Sequence, residues 1–344
     1  MRLWQMEFQT HAAAGRISEI VGEKAVEFDR FKRRSGMTLG ARKAVEALEQ
    51  DPDAKLAITA YSDGVNAYIS KLKKRDYPLE YKLLDYQPEP WSPYKTALLL
   101  KMMAWDLSGH NSDYQMTNVL KEFGSQVVAE LFPNYPDIMD PITPPGTKWD
   151  FVPEKLPMPA IDSLTQRNLA MEIPSSPGSV LSNDPAQWEE PAIGSNNWAV
   201  SATKSASGYP ILANDPHLGL NLPSLWLEMQ LVSPTVNVYG ATLPGAPAVI
   251  IGFNQSIAWG VTNVDPDIFD WYRIQFKDAS LKSYYHDGAW KETKTEITEN
   301  KIRGKSSVLD TIVYTHHGPI VLKTGETAFN QQTPPMCAMR WLAH

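Results

Sequence analysis

The sequence predicts an α+β protein, helices first and strands second, and three observations carry that expectation. From Leu3 to about Pro133 apolar residues recur at helical spacing. From Trp198 onward short apolar runs alternate with turns rich in Gly, Pro, Asn and Asp. Between the halves, Pro174 to Ile193 has no apolar period.

In the helical half, Leu3, Met6, Ile17 and Ile20, then Ala25, Phe28 and Phe31, fall on one face of successive turns. Gly36 after the basic Lys32-Arg33-Arg34 marks a helix stop. Ser92-Pro93 opens another helix, with a capping serine and proline in the first turn, running through Leu98, Leu99 and Met102. In the strand half, Ile211–Ala213, Ala248–Gly252 and Ile312–Tyr314 read as strands, as does Met336 to His344. Ser207-Gly208 reads as a hairpin turn joining Trp198–Thr203 to Tyr209–Asn214. About twenty residues without a period are unusual inside a compact fold, so 174–193 is either a domain linker or a spacer that is removed.

The 344 residues suffice for two ordinary domains or one large one. Apolar residues at 43% and charged residues at 21% give a soluble globular balance. A net charge of -7 argues against nucleic acid or an anionic membrane as partner. No apolar run reaches the ~18 residues of a membrane span. A single cysteine, Cys337, excludes an internal disulfide framework, and it sits in a plain apolar strand pattern. Met1 leads directly into an amphipathic helix with no signal peptide, and the last strand stops at His344. The expectation is that coding sequence is missing at both ends.

The chemistry is concentrated at Gly194-Ser195-Asn196-Asn197-Trp198, directly after the aperiodic stretch. A serine hydroxyl is a poor nucleophile until a base takes its proton. One compact solution is to cut the bond before the serine and use its own α-amine, whose pKa of ~7.7–8.0 leaves a useful neutral fraction near pH 7. Gly194 leaves the scissile carbonyl open, and a spacer lets the new end move away. Taken alone, Gly-Ser-Asn-Asn reads as a turn sequence rather than a catalytic one.

The surrounding blocks resemble the penicillin acylase family of N-terminal-nucleophile hydrolases. Arg2-Leu3-Trp4-Gln5-Met6-Glu7 with Ala14-Gly15-Arg16-Ile17-Ser18-Glu19 is similar to the family's early α-subunit signature. Gly194 to Trp198 resembles its processing site, Ala213 to Gly219 its next block, and Ile257 to Val264 with Asp267 to Asp270 its oxyanion and calcium region. The blocks occur in family order across nearly the whole chain.

The resemblance implies a four-layer αββα sandwich with a helical α-subunit region. Residues 1–173 would be α-subunit-like, 174–194 the spacer and 195–344 β-subunit-like. It implies hydrolysis of a secondary amide, such as the side-chain amide of a β-lactam antibiotic, after self-processing at Gly194–Ser195. Ser195 would then be nucleophile and base, His217 would stand beside it, and the backbone N–H of Asn263 would be one oxyanion donor. The family's second donor, an asparagine side chain, and an accompanying arginine would lie beyond His344. His217 is more typical of cephalosporin-type and acyl-homoserine-lactone acylases, which keeps an acyl-homoserine-lactone substrate open; a non-catalytic remnant of the fold is the third reading. No organic cofactor is implied. A structural Ca²⁺ is, held by Asp267, the carbonyl of Phe269 and Asp270, with Gln115 where the family usually has glutamate. The two chains of one precursor would form a heterodimer, periplasmic or secreted.

Blander readings stand beside these. His217 can be a hydrogen-bonded hairpin histidine, and Asp265, Asp267 and Asp270 a solvated acidic turn. His316-His317 is read as no site, because adjacent residues on a strand point to opposite faces. Trp105, Trp226 and Trp271 are read as core, and Asn254-Gln255-Ser256 as a hairpin turn rather than a glycosylation site.

Overall fold

The computed structural model describes residues 2–109, 112–132, 146–148, 194–219, 221–263, 267–329 and 332–344. Residues 174–193 of the expected spacer 174–194, and Asp265, lie outside the described residues. Two compact units are present, one of Met1–Asn111 with Glu190–His344 and one of Ser112–Glu189.

In the first unit the helices are α1 (Arg2–Ala14), α2 (Ser18–Val21), α3 (Val26–Arg34), α4 (Met37–Leu48), α5 (Pro52–Ile69), α6 (Leu79–Leu83) and α7 (Pro93–Ser108). The second unit contributes α8 (Asp113–Leu131), broken at Gly124. Helix α3 ends at Ser35, and Gly36 is left-handed at φ +79°, the stop that the sequence marks. Helix α5 starts where the Asp51 side chain accepts from the N–H groups of Asp53 and Ala54, ahead of Pro52. Helix α7 also starts as expected, with Pro93 in its first turn, but the Ser92 hydroxyl makes no capping bond. There the Ser92 carbonyl takes the first N–H groups, of Lys95 and Thr96, while proline itself brings no donor to be capped.

Helices α1, α4 and α7 meet through Ala13, Ala14, Ala41 and Ala97, small residues that let the helices approach closely, with Leu98 filling the seam. The other face of this layer meets strands. Phe31 of α3 and Met37 of α4 pack on Phe269, Val321, Met339 and Trp341. Trp105 joins them edge-on, with ring centroids 5.8 Å from Phe31 and 5.5 Å from Trp341. Trp341 is 2% exposed, so its burial contributes on the order of 2–3 kcal/mol. Trp105, Trp226 and Trp271 are all partly buried against these apolar clusters, in line with a core role.

Among the described residues strands begin at Ser195, and the α+β class is as expected. β1 (Ser195–Val200) pairs antiparallel with β2 (Ile211–Pro216). β3 (Leu227–Val232), β4 (Asn237–Thr242), β5 (Val249–Asn254) and β6 (Ala258–Trp259) form a four-stranded meander. β7 (Phe269–Arg273) pairs with β12 (Cys337–Trp341), β8 (Ser283–His286) with β9 (Ala289–Glu292), and β10 (Lys294–Asn300) with β11 (Val308–Tyr314). Asn254 closes the β5–β6 turn by accepting from the N–H groups of Ser256 and Ile257, as the turn reading expects.

One expectation shifts. The pairing of Trp198 with Ala213 is present and Ser207-Gly208 lies in the connecting turn, but the strands end further from it than expected. A 3₁₀ turn at Ala202–Lys204 and hydroxyl bonds among Ser205 and Ser207 fold residues 201–210 into a longer loop. Strand β1 accordingly begins earlier, at Ser195 itself.

Candidate active site

Ser195 opens β1 opposite Pro216, the last residue of β2. The backbone N–H of His217 donates to the Gly194 carbonyl at 3.0 Å, extending the ladder one step past the Gly194–Ser195 bond. The Ser195 hydroxyl donates to the same oxygen at 2.7 Å. The carbonyl before the serine therefore carries two donors, and the hydroxyl lies beside the bond that self-cleavage would break. The His217 ring stands on the same side: a Cβ placed on Gly194 would meet its Nδ1 at 3.6 Å. His217 Nε2 is 3.0 Å from the Asp215 carboxylate, both side chains exposed. Gly194, Ser195 and His217 are thus together, as the sequence implied.

Asn263 is tied to them by a residue that sequence reasoning passed over. The Asn214 amide donates to Asn196 O at 3.1 Å and Val261 O at 3.0 Å, and its oxygen accepts from Val261 N–H at 2.9 Å. It bridges β1 to the segment after β6. Gly260 permits this approach, since a Cβ there would lie 2.7 Å from the Asn214 oxygen. Two residues on, Asn263 is held again where its side-chain amide donates to Leu107 O, near the end of α7, at 3.0 Å. The signal was present: Asn214 lies inside the quoted block, on a strand whose partner carries Ser195.

Asp267 and Asp270 are exposed and flank the buried Phe269 at the start of β7, where Asp270 stands opposite Arg340 of β12. Gln115 belongs to α8 of the other unit. Cys337 is buried, and burial pushes its thiol up to about 11, so it is protonated and unreactive near pH 7.

The early signature is a buried ionic network. Glu7, 1% exposed, accepts from the Tyr81 hydroxyl at 2.5 Å and from Glu89 N–H. Burial raises its pKa despite these donors. Arg16 grips Glu19 and Glu89. Burial resists ionisation of Glu89, yet Arg16 and Lys95 hold its carboxyl down to about 2. Asp29 accepts from the N–H groups of Ile17 and Ser18, and Ser18 Oγ donates to Lys301 O. These residues bind the helical layer together and to the strands. A cavity of about 260 Å³ opens beside them, lined by Arg16, Arg33, Arg42 and Glu296; Ser195, His217 and Asn263 do not line it.

A model of the penicillin amidase family matches residues 1–344. The chain belongs to the penicillin amidase family. Its helices and strands agree with the α+β class that the sequence predicts. It is 31% identical over 93% of its length to an acyl-homoserine lactone acylase of Pseudomonas aeruginosa, covering 36% of that protein. It is 30% identical over 93% of its length to a penicillin acylase 2 proenzyme of a Pseudomonas species, covering 39% of it. A solved penicillin G acylase from Alcaligenes faecalis overlaps 42% of this chain and 25% of its own at a TM-score of 0.36 and 24% identity. The chain therefore spans a little over a third of the curated relatives it matches. Among the described residues no helix is long and apolar enough to cross a membrane.

Proposed function

We propose that this penicillin amidase family chain is part of a self-processing amidohydrolase whose nucleophile is Ser195. The observation that carries the reading is the Gly194 carbonyl, which accepts from both the Ser195 hydroxyl and the His217 N–H. In processing, Ser195 Oγ attacks the Gly194 carbonyl carbon. Negative charge develops on an oxygen already facing the His217 N–H, a donor that costs no reorganisation. The C–N bond breaks, and the hydroxyl proton ends on the leaving nitrogen, which becomes the α-amine. Water hydrolyses the resulting ester. The freed α-amine then serves as base for Ser195 in attack on a substrate amide, with the Asn263 N–H as an oxyanion donor. The amine product leaves, and water cleaves the acyl-enzyme. After processing, residues 1–173 and 195–344 would belong to α and β chains of one heterodimer, with 174–194 as the spacer; export to the periplasm or beyond follows from the resemblance.

The substrate class is an N-acyl amide, with the side-chain amide of a β-lactam antibiotic as the first reading. An acyl-homoserine lactone is the second, favoured by His217 and by the 31% identical relative of that name. Initial rates of the full-length protein on a β-lactam and a series of acyl-homoserine lactones separate them. Absence of hydrolysis from a fully processed protein would leave the non-catalytic reading.

Asn214→Ala tests the clamp. It removes three hydrogen bonds joining β1 to the segment before Asn263. Cleavage at Gly194, followed by intact mass over time, is expected to slow about tenfold or more. Processing at the wild-type rate would show that the clamp does not position the site.

Asp267 and Asp270, with the carbonyl of Phe269 between them, are hard oxygen donors on one short segment and fit Ca²⁺ by donor chemistry. Calcium at about a hundredfold over its Kd is expected to stabilise the full-length protein by about 2.7 kcal/mol. Asp270→Asn should remove most of that gain in calorimetry. An unfolding midpoint indifferent to calcium and chelator in the wild type would refute the site.

A further inference from the structure

His316 and His317 do not lie on a strand, and the alternation that would separate them does not apply. β11 ends at Tyr314, and the next four residues form a tight turn. Thr315 and Gly318 close it with reciprocal backbone bonds of 2.8 and 3.2 Å. Gly318 has φ +137°, and a Cβ there would lie 2.0 Å from Met339 O, so only glycine fits. The turn brings both imidazoles to the end of the β8–β9 hairpin, where His286 is the last residue of β8. Ring centroids are 3.7 Å apart for His286–His316 and again for His316–His317. Each ring offers one nitrogen, and the three nitrogens lie within 4.8 Å of one another.

The rings are also oriented from behind. The Asp287 carboxylate lies 3.0 Å from His286 Nε2, leaving the other nitrogen of that ring for an ion. Tyr284 Oη lies 3.2 Å from His316 Nδ1 and accepts from the His316 N–H. His317 stacks on Tyr272 at 3.9 Å, and its buried Nδ1 has no hydrogen-bond partner among the described residues. A buried nitrogen without a partner is costly unless something absent satisfies it. Lys291 and Arg340 lie near enough to oppose a cation, and Asp287 counters them.

We propose that His286, His316 and His317 form a three-imidazole site for a borderline divalent transition ion such as zinc, with Asp287 as the carboxylate behind His286. Imidazole nitrogen suits zinc, whereas calcium and magnesium prefer oxygen. Zinc–nitrogen bonds of about 2.1 Å at tetrahedral angles set ligand atoms about 3.4 Å apart, so the rings must draw in slightly. The hairpin end carrying His286, partly exposed, can supply that movement. The ion would fasten the β8–β9 hairpin to the turn after β11, and a fourth position remains for water.

The test is calorimetric titration of ZnCl₂ into chelator-stripped full-length protein with calcium held in excess, so that oxygen sites do not compete. One zinc per chain at micromolar Kd or tighter is expected, with at least tenfold weaker binding in both His286→Ala and His316→Ala. Cobalt at the same stoichiometry should give visible bands of a tetrahedral site, lost in the same variants. His286 is at a hairpin end, so its variant decides if His316→Ala does not fold. No zinc uptake by the wild type, or unchanged affinity in folded His286→Ala, overturns the proposal.

Discussion

Ser195→Ala in the full-length protein is expected to leave a single uncut chain and to lower amide hydrolysis by about four orders of magnitude or more. The change removes the attacking hydroxyl and, because the bond before residue 195 stays intact, the α-amine that would act as base. Two functions fall together, which is why the effect exceeds that of an ordinary contact. Folding should be untouched, since the Ser195 hydroxyl bonds locally to Gly194 O, and the pairing of β1 with β2 is backbone-made. Intact mass and N-terminal sequencing of wild type and variant read it out. A wild-type chain beginning Ser-Asn-Asn-Trp and an uncut variant support the mechanism. A variant cut at the same bond, or one that hydrolyses amides at the wild-type rate, sinks it.

The second large effect is on stability. Arg34, at the end of α3, is 2% exposed and donates to both oxygens of Asp310 on β11, at 2.8 and 2.6 Å. It also reaches both oxygens of Glu326 and the Val321 carbonyl. Arg34→Met would leave Asp310, 7% exposed, without its counter-charge, at an expected cost of about 3–5 kcal/mol. Arg34→Met with Asp310→Leu should recover much of that loss, because removing both charges removes the unpaired one. Urea unfolding of the full-length protein checks both. A loss below about 1 kcal/mol in the single variant would mean that water or a rearranged partner replaces the guanidinium.

The same cluster gives a pH signature with a definite sign. Burial resists ionisation of Asp310 and Glu326, but Arg34, aided by Lys323, more than offsets it, and both carboxyls are held below their ordinary values. A carboxylate with a lowered folded pKa contributes fully above its unfolded pKa and loses that contribution as pH falls through the folded one. Wild-type stability should therefore decline below about pH 4.5, and Arg34→Met should show a shallower decline over that window. Parallel pH profiles would contradict the assignment.

Much was legible in the sequence because it is local. Helical spacing, the Gly36 stop, the Asn254 turn and the run of short strands depend on neighbours a few residues apart, and the chain forms them as read. The Gly194-Ser195 pair stood out as a candidate because it directly follows the aperiodic stretch and falls in order among the family-like blocks. The hairpin through Ser207-Gly208 formed as read, but with a longer loop, because several serine hydroxyls there bond each other.

What the sequence by itself determined is the order of the two halves, the family blocks and the identity of the candidate nucleophile. Only the tertiary structure decided what surrounds them. Asn214 becomes a clamp because β2 lies against β1 and Gly260 lets the next segment close in. Arg34 and Asp310 are 276 residues apart, and no spacing rule links them. His316 and His317 meet His286 because a glycine turn replaces the strand that alternation assumed, and because a separate hairpin ends at the same place. Local spacing fixes which way a residue faces within its own element. Which distant residues it faces is set by how the elements pack, and that information is not written at any single position.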